Sequence, residues 1–343
     1  MKILIASGIY PPDIGGPAQY ARNLYETWKK AGHEVKVAAF RWERAFPPGI
    51  RHLFYLQKIL RKGWNADIIL VLDTWSAAVP TMIACSLMRK KYIIRTGGDF
   101  LWESYVERTG DLVPFKDFYG SRMGKLSNKE QKVFRWGGNA LRKAAGIIFS
   151  TDWQRQIFEK VYHLDPKKNS IVENFCGPRQ EPMVPENRSF VAGTRPLKWK
   201  NVEFLKEAFE TAKEQIASRG LEPIELDTGK AVYDSFVEKI HHSYAVILAS
   251  LGDISPNIIF DAIQVGTPFI LTRETGIAER VKDCALFVNP QDKLDIAEKI
   301  LWLSDPKNHA IQAEKVRKFT FVHTWNQIAD EIVAVWKKAV KNL

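Results

Sequence analysis

Cysteine is scarce. Cys85, Cys176 and Cys284 are the three in 343 residues. An odd number without the paired spacing of a metal ligand set argues against a disulfide framework or a cysteine-built metal site, and the three are expected as free thiols in a reducing cytosol. Long apolar runs are also missing. The longest candidate, around Ile68 to Met88, follows Asp67 and contains Asp73 and Pro80, so a bilayer-crossing helix is excluded. The opening MKILIASGIYPPD turns to Pro-Pro-Asp too early for a signal peptide and reads as a buried strand. No G-x-G-x-x-G follows a strand, which weighs against NAD or FAD, and no Walker lysine motif is present. Of the seven histidines none has a catalytic context; His241-His242 falls at a predicted helix end, where interaction with the helix dipole is the simpler role. Internal repeats and low-complexity tracts are absent.

What is there is enough apolar surface for a real core: 45% hydrophobic and 12% aromatic residues, in a length that suits one or two domains. The net charge of +11 is uneven. Residues 1–176 hold 28 Lys and Arg against 16 Asp and Glu, and the remainder is close to neutral. Such a basic half suits an anionic partner, such as a membrane surface or a lipid-phosphate acceptor, or is a solvated face; both readings stand at this point. The basic residues are scattered, without a nucleic-acid motif, so no nucleic-acid partner is expected.

Apolar periodicity alternates between strand and helix from the start. Strands are expected at 2–7, 35–40, 67–72, 92–95, 147–150 and 170–172, with helices between them. The stretch Asp99 to Trp136 breaks the pattern, being aromatic, basic and irregular. Asn174 to Arg188, with Gly177, Pro178, Pro182 and Pro185, reads as a linker. A second series follows: strand 189–192, helix 202–218, strand 223–226, helix 231–242, strand 244–249, helix to Val265, strand 268–272, and helices near 294–303, 311–318 and 325–341. The expected architecture is α/β, with two Rossmann-like domains facing across a cleft. The boundaries are 1–176, 177–324, and a C-terminal helix 325–343.

The most informative stretch is SLGDISPNIIFDAIQVGTPFILTRETGIAERV, from Ser250 to Val281. Asp253 and Asp261 stand eight positions apart. Ser255 reads as an N-cap and Pro256 as the first helical residue, and Gly266 ends the helix. A helix N-terminus at a strand's carboxyl end suits a phosphate, because unpaired N–H groups and the positive end of the dipole meet there; a helix with two solvated acids is the plainer reading. In SGIYPPDIGGPAQYARNL, Gly15-Gly16 between strand and helix would let a phosphate approach the backbone, or simply form a turn. In GTRPLKWKNVEFLKEAF, Arg195, Lys198 and Lys200 crowd a helix start that the dipole makes unfavourable for cations, which favours a bound diphosphate.

Together these pieces resemble a GT-B glycosyltransferase of glycosyltransferase family 4. PPDIGGPAQYARNL is similar to the family's Gly-Gly loop and first helix. FSTDWQRQIFEKVYHLDPKKNSIVENF resembles the last strand and helix of its N-domain. Arg195 and Lys200 stand in register with its G-R-x4-K-G element, with Thr194 and Asn201 replacing the glycines. Asp253 and Asp261 match its E-x7-E pair, and Gly276 and Glu279 its following G-x-x-E. The helix from Trp325 resembles one that crosses back to the N-domain. The resemblance implies sugar transfer from a nucleotide sugar, such as a UDP- or GDP-sugar, with retention and usually without a metal or other cofactor. Arg195, Lys200, the Asn257 and Ile258 N–H groups, Ser255 and the Gly15–Gly16 loop would hold the diphosphate. Asp261 would bind ribose hydroxyls and Asp253 sugar hydroxyls, with Glu279 also at the donor.

Three departures accompany the resemblance. Both acids are the shorter aspartate. Thr96, in RTGGDFLWE, stands where the family often has a histidine, leaving Asp99 and Glu103 as the nearby polar candidates. The second domain is short, with Asp227-Thr228-Gly229-Lys230 where the family has a glycine loop. The leading reading is a transferase at the cytoplasmic membrane face, acting on a lipid-linked or polysaccharide acceptor, with the Asp99–Trp136 segment as acceptor or membrane surface, or else as a plain helical insertion. The alternatives are a catalytically weak GT-B subunit needing a partner chain, and a sugar-nucleotide epimerase.

Overall fold

Strands buried on both faces read as continuous apolar runs, and here they pair only in parallel. The structure, a computed structural model, describes residues 1–13, 15–47, 49–183, 185, 187–192, 197–229 and 233–341. Its strands are β1 (Lys2–Ser7), β2 (Glu34–Ala39), β3 (Ile68–Val71), β4 (Ile93–Thr96), β5 (Gly146–Phe149), β6 (Asn169–Ile171), β7 (Ser189–Val191), β8 (Glu225–Asp227), β9 (Ala245–Leu248), β10 (Phe269–Thr272) and β11 (Leu286–Val288). Among the described residues they form a six-stranded sheet in the order β2-β1-β3-β4-β5-β6 and a five-stranded sheet in the order β11-β10-β9-β7-β8.

The helices are α1 (Gly16–Lys30), α2 (Ile50–Gly63), α3 (Ala78–Met88), α4 (Phe100–Thr109), α5 (Phe115–Ser121), α6 (Asn128–Lys143), α7 (Asp152–Tyr162), α8 (Val202–Ser218), α9 (Tyr233–His241), α10 (Asn257–Val265), α11 (Ala278–Val281), α12 (Lys293–Ser304), α13 (Pro306–Arg317) and α14 (Trp325–Lys341). They fall into two compact units. The first comprises Met1–Leu101, Gly124–Asn174 and Thr324–Leu343; the second comprises Trp102–Met123 and Phe175–His323. The last helix, α14, thus belongs with the first sheet: Trp325 packs edge-on against Tyr20 at 5.2 Å. Within the second unit, β9 shows why a parallel sheet needs cover on both sides. Ala245 and Ile247 enter a core with Phe190, Phe209, Ile296 and Ile300, while Val246 and Leu248 enter another with Ile259, Phe260 and Ile263.

The alternation expected from the sequence is present, and the stretch read as irregular is not. Asp99 to Trp136 carries α4, α5 and most of α6. Its local signals were turn and cap residues. Gly110, at φ 70, follows α4, Pro114 precedes α5, and Ser127 with Glu130 forms a capping box on α6. Half of its aromatic side chains are interior: Trp102, Tyr105, Phe115 and Phe118. They join the second unit, where Trp102 meets Phe115 and Trp199 at ring distances of 5.4 Å each. The strand β11, at three residues, is too short an apolar run to stand out in the sequence.

All three thiols are buried and unpaired with one another. Burial pushes the Cys85 and Cys284 thiols up to about 12, so neither carries appreciable thiolate at neutral pH. Iodoacetamide labelling followed by mass spectrometry should leave Cys85 and Cys284 unmodified at about pH 8 in the folded protein and label them readily in urea. Native labelling at the rate of an exposed thiol would refute this placement.

Candidate active site

Both sheets reverse strand order at one point, between β1 and β3 in the first and between β7 and β9 in the second. Loops leaving neighbouring strands there run apart and open a crevice at the strands' carboxyl ends. In the second sheet the loop after β7 delivers Lys200, at the end of a 3-10 turn (Lys198–Lys200), and the loop after β9 delivers Asp253.

These two side chains meet. Lys200 Nζ donates to both Asp253 carboxylate oxygens, at 3.0 and 2.8 Å. Ser250 Oγ adds a third bond to the carboxylate at 2.6 Å. Both partners are largely withdrawn from water, with side chains 13% and 12% exposed. The ammonium also lies 4.3 Å from the Trp199 ring centroid. Backbone bonds hold the acid in place: Asp253 N–H donates to Glu274 O at 2.9 Å, and Gly276 N–H donates to Asp253 O at 3.2 Å.

The residue after Lys200 explains how this is possible. Asn201 has φ 60 and ψ 29, a left-handed conformation open to glycine and, next best, to asparagine. The substitution for the family glycine therefore keeps the backbone path. It also adds a buried amide that donates to Ala249 O at 3.1 Å and Pro290 O at 2.7 Å. One side chain thus ties the loops after β7, β9 and β11.

Helix α10 starts beside Asp253 in sequence, one residue later than expected: Asn257 is the first helical residue and Pro256 occupies the N-cap with φ -73 and ψ 113, so Ser255 is not the cap. Proline has no N–H and no side-chain acceptor, and no side chain caps α10. Asn257 is exposed and Ile258 half-buried at this helix start, while the N–H of the buried Ile259 already donates to Pro256 O at 3.2 Å. Gly266, at φ 76, closes the helix as read. Asp261 is buried on α10. Glu279, on α11, has a side chain 92% exposed and pairs with Lys282 at 3.3 Å. Arg195 lies outside the described residues.

In the first unit, Gly15 is the N-cap of α1 with φ 147 and ψ 157, a conformation reserved for glycine, and Gly16 opens the helix without a side-chain cap. The loop before it is braced. Arg44 forms a fork with Asp13, at 2.6 Å to each oxygen, which holds that carboxyl below its usual range. Asp73, at the other side of this switch point, accepts from the N–H groups of Trp75, Ala77 and Ala78, and burial raises its carboxyl. The start of α3 is therefore served by the chain's own acid. Asp99 is buried just before α4 and Glu103 is half-buried one turn into it. Thr96, at the histidine's place, is engaged: its hydroxyl donates to Gly98 O at 3.0 Å and accepts from Gln154 Nε2 at 3.3 Å.

Sequence reasoning missed the residues that pin the second unit's loops. Phe115 N–H donates to Leu251 O at 3.0 Å, Lys116 pairs with the buried Glu274 at 2.5 Å, and Glu107 accepts from Lys198 N–H at 2.7 Å. Gly252 is needed for this contact, since a Cβ there would meet Phe115 Cβ at 2.6 Å. Lys116 and Glu274 lie 158 positions apart, and no local pattern joins them.

Residues 14–178 match the family model described as Glycosyltransferase Family 4. Solved structures similar to the whole chain include sucrose-phosphate synthase from Thermosynechococcus elongatus, with TM-score 0.69 and 14% identity over 100% of this chain and 99% of that one. Anabaena HepE in complex with UDP and glucose gives TM-score 0.67 and 15% identity over 98% and 99%. WaaG, a glycosyltransferase involved in lipopolysaccharide biosynthesis, gives 0.65 and 12% over 98% and 99%. No curated protein sequence matches the chain.

The Asn201 assignment separates two effects that mutation can tell apart. Asn201→Ala loses both hydrogen bonds and forces a left-handed alanine, so it should destabilise the protein by about 2–4 kcal/mol. Asn201→Gly loses only the bonds and should be milder by about 1 kcal/mol. Urea denaturation of the two variants measures the difference, and coincident curves would count against a conformational role.

Proposed function

We propose that the protein, which has the GT-B fold and matches the Glycosyltransferase Family 4 model over residues 14–178, is a glycosyltransferase that moves a sugar, with retention at the anomeric carbon, from a nucleotide-sugar donor to a lipid-linked or polysaccharide acceptor. The observation that carries this reading is the Lys200–Asp253 pair at the second sheet's switch point, with the uncapped start of α10 four residues on. Cleavage of a glycosyl phosphate leaves negative charge on the diphosphate and positive charge on the sugar. Lys200, Arg195 and the first N–H groups of α10 answer the former without calling on a metal. Asp253, held by Lys200 and Ser250, is suited to the sugar hydroxyls, and Asp261 to the ribose.

Because HepE was solved with UDP, a UDP-sugar is the first donor to try, and a GDP-sugar the second. The working place in this reading is the cytoplasm, with peripheral attachment at the inner membrane face. One observation favours a second reading, a donor-binding chain that needs a partner for turnover: Thr96 puts a hydrogen-bonded hydroxyl where a titratable histidine would stand.

A thermal-shift panel of UDP, GDP, ADP and TDP with their sugars should show one base raising the melting temperature, by mass action. Lys200→Ala should remove that shift, and Asp253→Asn should lower donor turnover by about two orders of magnitude. NMR of the product should show the donor's anomeric configuration. No shift with any nucleotide would sink the donor reading. Turnover of donor by the pure chain would exclude the partner-dependent one, and an isomerised nucleotide sugar formed without acceptor would indicate an epimerase.

A further inference from the structure

The first unit carries an apolar face that its own core does not use. Trp42, Phe46 and Phe54 pack on one another, with ring centroids 5.0–5.9 Å apart. Trp42 is 57% exposed. On α2 the inward residues are Tyr55, Ile59 and Gly63. Ile50, Leu53, Gln57 and Arg61, with Trp64 just past the helix end, follow at steps of three and four and share the opposite face. Leu53 is 65% and Trp64 64% exposed, on a stripe that runs about 21 Å from Ile50 to Trp64.

Charge on this face has one sign. From Arg41 to Ala66 the chain has six Lys and Arg against one acid, Glu43, which is buried and paired with Lys58. Lys58 and Lys62 are spent on the strand carbonyls of Ala39 and Val37. Arg61 lies on the stripe, Arg51 follows Ile50 at its start, and Arg41 precedes Trp42. A helix with exposed Leu and Trp set among arginines, and no acid to repel phosphate, has the composition of one that lies in a lipid interface. A second copy of the same face is a poorer occupant, since a two-fold contact would set these arginines against themselves.

We propose that the face formed by the Trp42 turn and the outer side of α2 docks on an anionic phospholipid surface. The aromatic and Leu side chains enter the headgroup boundary and Arg41, Arg51 and Arg61 meet lipid phosphates. No helix among the described residues is long and apolar enough to cross a membrane, so the contact is interfacial. It deepens the proposed function, on which it rests only for its purpose, by naming where a lipid-linked acceptor is met; its test needs neither donor nor turnover.

Flotation of the full chain with phosphatidylcholine vesicles, with and without phosphatidylglycerol, reads the contact directly. The wild type should float with anionic vesicles, not with neutral ones, and release as salt rises. Leu53→Glu and Trp64→Ala, both at exposed sites, should keep the wild-type melting temperature and weaken vesicle binding about tenfold or more. Trp136→Ala, at the exposed tryptophan of α6, should bind as the wild type does. Failure of the wild type to float, unchanged binding of Leu53→Glu, or loss only with Trp136→Ala would each overturn the proposal. So would a solution dimer that Leu53→Glu dissociates. Nucleotide shifts recorded on the same variants report on the donor reading separately.

Discussion

One carboxylate is held where three loops meet, and the arrangement of those loops depends on that confinement. Asp253 has its charge met by Lys200, one oxygen fixed by Ser250, and its backbone bonded to the loop after β10. A buried acid of this kind persists only when a cation and hydrogen bonds replace lost water. The arrangement in turn requires the loop after β7 to reverse sharply behind Lys200. Asn201 makes that turn and anchors it to two carbonyls. The ion pair, the left-handed residue and the amide bonds form one unit, and none of them keeps its geometry alone.

The helices α4 and α5 give this arrangement its outer wall. They sit far from the second sheet in sequence, yet Phe115, Lys116 and Glu107 fasten the loops after β9, β10 and β7 in turn. Trp102 packs against Trp199, and Trp102 and Phe115 close on Gly252, so these two rings are interior. The exposed aromatic residues of the first unit lie elsewhere, around Trp42 and α2. Aromatic and basic composition alone did not separate the two cases, because burial is decided by distant partners.

The same distinction accounts for what was legible. Parallel strands announce themselves as apolar runs, so both sheets could be read, apart from three-residue β11. The placing of Lys200 and Asp253 in loops after strands, and of Asp261 on a helix, was legible because strand, turn and helix-start signals follow in close succession there. Ser255 was placed one residue off as a cap, since local preference could not show that Pro256 would take an extended ψ. Lys116–Glu274, Ser250 and the Asp13–Arg44 fork depend on chain segments brought together by the fold, and nothing local encodes them. Asn201 lay between these cases: it was noticed as a departure from glycine, and only its backbone angle shows that the departure is conservative.

The turn that bears Trp42 is not an appendage. Arg44 grips Asp13 and reaches Gly8 O at 3.3 Å, while Arg41 donates to Pro11 O at 2.7 Å. These contacts span the backbone between β1 and the Gly15 cap of α1. A shift of the glycine loop must therefore either open a charged fork or drag an aromatic turn through whatever medium surrounds it. The viscosity of that medium, water or lipid headgroups, becomes a term in how fast the loop can move.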